Sequence, residues 1–154
     1  MGGVQFILWE DIFVVIDDGG GIPSDYLAIE RKIIEQGVRF KEGIGCLAII
    51  PVNARPPPQA TRKAMTAAIE GAPLRCFCWF VEGSGFQAAT VRAVITGLRL
   101  VSRPSYPTHV ASDLEEAIRW ILCALKGGDD RIESAPLAAA TIRAKRAEGS
   151  AQSL

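Results

Sequence analysis

The chain has 154 residues, 49% of them apolar and 22% charged, which fits one compact folded domain and excludes general disorder. Seventeen basic residues balance seventeen acidic ones, so overall charge offers no reason to bind nucleic acid or an anionic membrane. The longest dense apolar stretches fall well short of the roughly 20 residues that cross a bilayer, and no basic region precedes an apolar one at the start. A cytoplasmic protein is expected.

The chain opens on two β-forming runs, Val4 to Leu8 and Ile12 to Ile16, separated by Trp9-Glu10-Asp11. They predict a hairpin. Asp17-Asp18-Gly19-Gly20-Gly21-Ile22-Pro23 breaks regular structure, and Leu27, Glu30, Ile33, Ile34 and Val38 then recur at helical spacing. The prediction is a helix over 24–36, with Ser24 as N-cap and Gly37 as the stop. Ile44 to Val52 is apolar without alternation, as in a strand covered on both faces, and Pro51 must lie at its end. Pro56-Pro57-Pro58 is a stiff connector to a helix over 59–70, which puts Ala64, Met65, Ala68 and Ile69 on one face and Arg62 and Lys63 elsewhere.

Leu74 to Val81 predicts another doubly covered strand. Gly83-Ser84-Gly85 turns into a helix over 86–101, carrying Val91, Val94, Ile95, Leu98 and Val101. After Arg103-Pro104-Ser105-Tyr106-Pro107 comes a short strand, Thr108 to Ala111. Ser112-Asp113-Leu114-Glu115 then has the form of a capping box, ahead of a helix burying Ala117, Ile118, Ile121, Leu122 and Leu125. Residues 127–154 are rich in alanine and charge. They read as a flexible or helical tail, with a helix near 136–147 and disorder over 149–154. The folded unit is therefore set at 1–126, an α/β domain with a single mixed sheet of about 4–5 strands and helices packed on it.

The pattern resembles the STAS-like family, the fold of anti-sigma-factor antagonists and sulfate-transporter tails. More closely, it looks like the small stand-alone bacterial STAS-like proteins that mostly lack an assigned role. The likeness covers about residues 4–125. It rests on the hairpin Phe6 to Ile16, the proline-linked strand–helix unit Leu47 to Ile69, the strand Leu74 to Val81, and the run from Arg103 to Ile121 with its aromatic, prolines, short strand and Glu-Glu-Ala helix. The resemblance implies a regulatory protein–protein interaction module. Members that switch partners carry a phosphorylatable serine in an Asp-Ser-Ser-Gly-like motif. The matching stretch here, Pro51 to Thr61, has no serine, and Thr61 is its only hydroxyl. Phospho-switching is therefore in doubt.

The candidate contact residues are Asn53, Arg55, Thr61, Ser84, Arg92 and Arg99. Asn53 and Arg55 follow a buried strand at its carboxyl end, where open α/β sheets bind ligands. Arg55 could hold a carboxylate or phosphate, or could be an ordinary solvated side chain. Gly83-Ser84-Gly85 could offer amides to an anion, but it lacks the lysine and second hydroxyl of a phosphate loop and reads rather as an ordinary turn capped by Ser84. Arg92 and Arg99 share a helical face, with Arg103 four residues on, as a stripe for an acidic partner or as a solvated face.

Asp17, Asp18 and Asp25 lack calcium-loop spacing and read as a solvated turn. His109 lacks a nucleophile beside it and reads as a half-exposed strand residue, with Asp113 its nearest sequence partner for catalysis. Cys46, Cys76, Cys78 and Cys123 read as buried thiols, with Cys76 and Cys78 on one strand face. No catalytic set, metal site or cofactor is expected.

The first reading is thus a non-enzymatic interaction module with a protein partner. Its surface would combine the 53–61 loop, the following helix and the helix over 86–101, and a second copy could pair along the edge strand 4–10. The alternative is a binder of a small apolar or anionic ligand at the carboxyl edge, through Asn53, Arg55 and Ser84. That reading requires a closed pocket of several hundred cubic ångströms.

Overall fold

The computed structural model describes residues 3–125, 127, 129–149 and 151–153. A hairpin of β1 (Val4–Trp9) and β2 (Ile12–Asp17) leads into α1 (Pro23–Arg39). Three strand–helix units follow: β3 (Ile44–Ile50) with α2 (Gln59–Gly71), β4 (Leu74–Val81) with α3 (Phe86–Ser102), and β5 (Thr108–Ala111) with α4 (Leu114–Ala124). A 3-10 turn at Asp129–Ser134, α5 (Ala135–Ala147) and the two-residue β6 (Gln152–Ser153) complete the chain.

The sheet runs in the order β5-β4-β3-β2-β1-β6. Strands β2 to β5 are mutually parallel, while β1 is antiparallel to both β2 and β6. This is the expected single mixed α/β sheet, with a short sixth strand added. Among the described residues no helix is long and apolar enough to cross a membrane.

Strand alternation divides the core in two. Phe13, Val15, Cys46, Ala48, Ile50, Phe77 and Trp79 face α1, α2 and α3. Ile12, Val14, Leu47, Ile49, Cys76 and Cys78 face α4 and α5. The unbroken apolar runs of β2 and β3 follow from this two-sided cover. Gly45 permits a close approach on the second face, since a Cβ there would lie 2.5 Å from Ile121 Cγ2.

Several expectations need correction. Helix α1 starts at Pro23 behind Ile22, whose amide donates to Asp25 Oδ2 at 2.8 Å, so Ser24 is not its cap; it runs through Gly37 to Arg39. Its buried face is Tyr26, Ile29, Ile33 and Gln36, which leaves Leu27, Ile34 and Val38 exposed. Tyr26 and Gln36 can be buried because each polar end has a partner: Tyr26 donates to Asp17 at 2.7 Å and Gln36 to the Glu10 carbonyl at 3.1 Å. The cap of α4 is displaced by one residue, with Asp113 accepting from the Glu116 amide at 3.0 Å and Glu116 reaching back to Ser112.

The C-terminal segment is part of the core. Ala135, Ala138, Ala139 and Ile142 form a stripe at i, i+3, i+4 and i+7, and each is fully buried. Arg131 holds Asp11 through both carboxylate oxygens, at 2.9 and 2.8 Å, and also reaches Glu10 at 2.8 Å. Arg146 pairs with Glu82. The sequence predicts disorder over 149–154, yet Gln152 and Ser153 pair with Phe6 and Gln5. The β1 edge is therefore not wholly free, because this short strand covers part of it. Residues 150 and 154 lie outside the described residues.

Candidate functional site

Four parallel strands bring their carboxyl ends to one edge, so the loops at 18–22, 51–58, 82–85 and 112–113 gather there. Backbone contacts lock the first three together. The Arg55 amide donates to the Asp18 carbonyl at 2.9 Å, and the Glu82 amide to the Ile50 carbonyl at 2.9 Å. Gly19 sits at φ +82° against this contact, where a Cβ would fall 1.8 Å from the Arg55 oxygen; only glycine fits. Asp18 accepts from the amides of Gly3 and Gly20, both at 2.8 Å. Its carboxylate, like those of Asp17 and Asp25, thus serves local donors.

Of the predicted contact residues, Asn53, Arg55 and Ser84 are exposed at this edge. Ser84 does not cap α3: the cap position is Gly85, with no side-chain hydrogen bond. Thr61 is 3% exposed, and its hydroxyl donates to the Gly21 carbonyl at 3.4 Å. It pins α2 to the 18–22 loop and is closed to a partner. The arginines turn toward the protein's own backbone. Arg92 reaches the Val81 and Gly83 carbonyls at 3.4 Å, at the same edge. Arg99 lies away from it, holding Thr108 Oγ1 at 2.8 Å and the Thr108 carbonyl at 3.0 Å at the start of β5. Two of the three residues expected to form a stripe thus have structural partners.

Sequence reasoning missed the apolar exposure around this edge. Phe86, the first residue of α3, is 90% exposed, and Val52 is 60% exposed. Separately, α2 and α3 flank an open groove of about 620 Å3. One wall carries Arg62, Lys63 and Thr66, and the other Val94, Leu98 and Val101, with no carboxylate among the described lining residues. Arg62 and Lys63 are exposed, and no ion pair engages them among the described residues. The signal available in the sequence was that both fall off the core-facing side of α2.

On the opposite face His109 stacks on Trp120, with ring centroids 5.2 Å apart, and its Nε2 lies 3.1 Å from Glu116 Oε1. It is half-exposed as expected, but its carboxylate partner is Glu116, not Asp113. The amide and hydroxyl of Ser112, at 2.9 and 2.7 Å, hold the Glu116 carboxyl well below the usual carboxylate range, at about 2, with His109 contributing. Cys123 is exposed, which corrects the expectation of four buried thiols. Burial pushes Cys76 and Cys78 up to about 12 and Cys46 upward as well, so these three stay protonated and unreactive. Among the described residues no group of three or more His, Cys, Asp or Glu side chains is placed to hold a metal.

Comparison with family models, with curated proteins and with solved structures finds no match in any of the three.

Proposed function

We propose that the protein is a non-enzymatic interaction module of STAS-like type that docks an acidic amphipathic helix of a partner protein in the groove between α2 and α3. The observation that carries this reading is the asymmetry of the groove. Cationic Arg62 and Lys63 face apolar Val94, Leu98 and Val101. A helix with one apolar stripe and flanking carboxylates complements both walls. The four stretches that carry the family resemblance fold into the β1–β2 hairpin, the β3–α2 unit, β4, and the β5–α4 unit, in keeping with this reading. The enclosed spaces behind the carboxyl edge, about 40 and 60 Å3, are far smaller than a ligand pocket of several hundred cubic ångströms, which favours a docking surface over the alternative.

The test is affinity capture from the native host with the wild-type chain and with the double variant Arg62→Glu/Lys63→Glu, whose fold is checked by circular dichroism. The reading expects a captured protein that carries an acidic amphipathic segment, is released by salt, and is lost with the variant. Equal capture by both chains overturns the assignment of the groove.

A further inference from the structure

Helix α1 departs from the ordinary pattern of a helix lying on a sheet. Such a helix covers one stripe and turns polar residues outward. In α1 the buried stripe is Tyr26, Ile29, Ile33 and Gln36, two of them polar. The outward ridge is Leu27, Arg31, Ile34 and Val38, with Leu27 54%, Ile34 48% and Val38 78% exposed. Scattered apolar side chains on a surface need no explanation, but three along one ridge mark a surface that something covers. The four positions step by four, three and four, the spacing of a coiled-coil seam.

Charge selects the occupant. Arg31 and Glu35 are both exposed on this side of α1, and neither is ion-paired among the described residues. Within one helix a base four residues ahead of an acid is the weaker order for pairing. The adjacent charges are turned aside: the Lys32 ammonium lies 4.8 Å from the Phe6 ring centroid, and the Glu30 carboxylate lies against Gly71 of α2. Two such ridges laid antiparallel about a two-fold axis bring Leu27 of each copy to Val38 of the other, and Arg31 to Ile34. The Arg31 stem then covers Ile34, and its guanidinium comes beside Glu35 of the second copy. The same contacts recur on both sides of the axis, as an isologous interface requires. The β1 edge is a poorer place for a second copy, because β6 already pairs with part of it.

We propose that the protein forms an antiparallel homodimer through the outer ridge of α1. The seam from Leu27 to Val38 is only about 17 Å long, so the dimer is of modest affinity, with a Kd of about 10 to 300 µM. The inference does not depend on the docking groove, which α2 and α3 form.

The experiment is sedimentation equilibrium of the full chain from about 10 µM to 1 mM, the range that brackets the expected Kd, with amide NMR spectra recorded over the same dilution. Wild type should pass from monomer to dimer, with concentration-dependent shifts centred on Leu27, Arg31, Ile34 and Val38. Ile34→Glu, at an exposed position, should keep the circular dichroism of the fold and weaken the dimer at least about tenfold. Arg31→Glu should weaken it about threefold to tenfold, and the exchange Arg31→Glu/Glu35→Arg should recover that loss. Arg62→Glu/Lys63→Glu, in the groove, should dimerise as wild type does. A wild-type chain that stays monomeric throughout overturns the proposal, and so does a dimer that survives Ile34→Glu. Failure of the exchange to recover dimerisation, or its loss in the groove variant, overturns it as well.

Discussion

Replacing Ile142 by alanine tests whether the C-terminal helix belongs to the folded unit. Ile142 is fully buried at the third turn of α5, in the cluster that includes Ile118, Ile121 and Leu122 of α4. The substitution deletes three carbons. At about 0.8 kcal/mol for each buried methylene the transfer loss alone is about 2.4 kcal/mol, and the cavity left behind brings the total to between about 2 and 5 kcal/mol. Leu137, on the same helix but 69% exposed, is the internal control, and its alanine variant should change stability by less than about 0.5 kcal/mol. Urea denaturation followed by far-UV circular dichroism gives both values. An Ile142→Ala variant within about 0.5 kcal/mol of wild type would refute the packing of α5, as would equal losses for the two variants.

Three further outcomes follow from other contacts. Gly19→Ala should cost at least about 2 kcal/mol, because it combines a left-handed backbone with a Cβ placed 1.8 Å from the Arg55 oxygen; the same denaturation assay reads it. Ser102→Ala should stabilise the chain by about 1 kcal/mol, since the Ser102 hydroxyl is buried without a hydrogen-bond partner among the described residues, and a lower melting temperature contradicts that. Glu116, held near 2 when folded, contributes stability that is fully present above its ordinary unfolded value and is lost as pH falls through the interval from 4.5 toward 2. Asp17 has the opposite sign: burial raises its carboxyl, so its contribution is fully present below the ordinary value of 3.8 and is lost as pH rises above it. Denaturation of Glu116→Gln between pH 2 and 5 should therefore show a smaller acid loss than wild type.

The sheet was legible because β2, β3 and β4 are apolar at nearly every position, a pattern that a strand between two helical layers requires. The face of α1 was not, because apolar residues lie on both sides of that helix. The choice between Leu27, Ile34 and Val38 and the observed Tyr26, Ile29 and Gln36 turned on hydrogen bonds to Asp17 and Glu10, made across the fold. The role of α5 was hidden for a related reason: its buried stripe is mostly alanine, which signals little hydrophobicity yet packs closely. Strand and loop order alone placed Asn53, Arg55 and Ser84 at the carboxyl edge. The inward turn of Arg92 and Arg99 depends on carbonyls that only the folded sheet supplies, and the groove depends on the spacing of two helices, which no single segment encodes.

The most direct measurement takes the acidic segment of a captured partner as a synthetic peptide and titrates it into the 15N-labelled chain. The account predicts amide shifts concentrated at Arg62, Lys63, Thr66, Val94, Gly97 and Leu98, the residues of the groove, weakening as salt is added. Shifts centred instead on the exposed stripe of α1, on β5 or around His109 would contradict it.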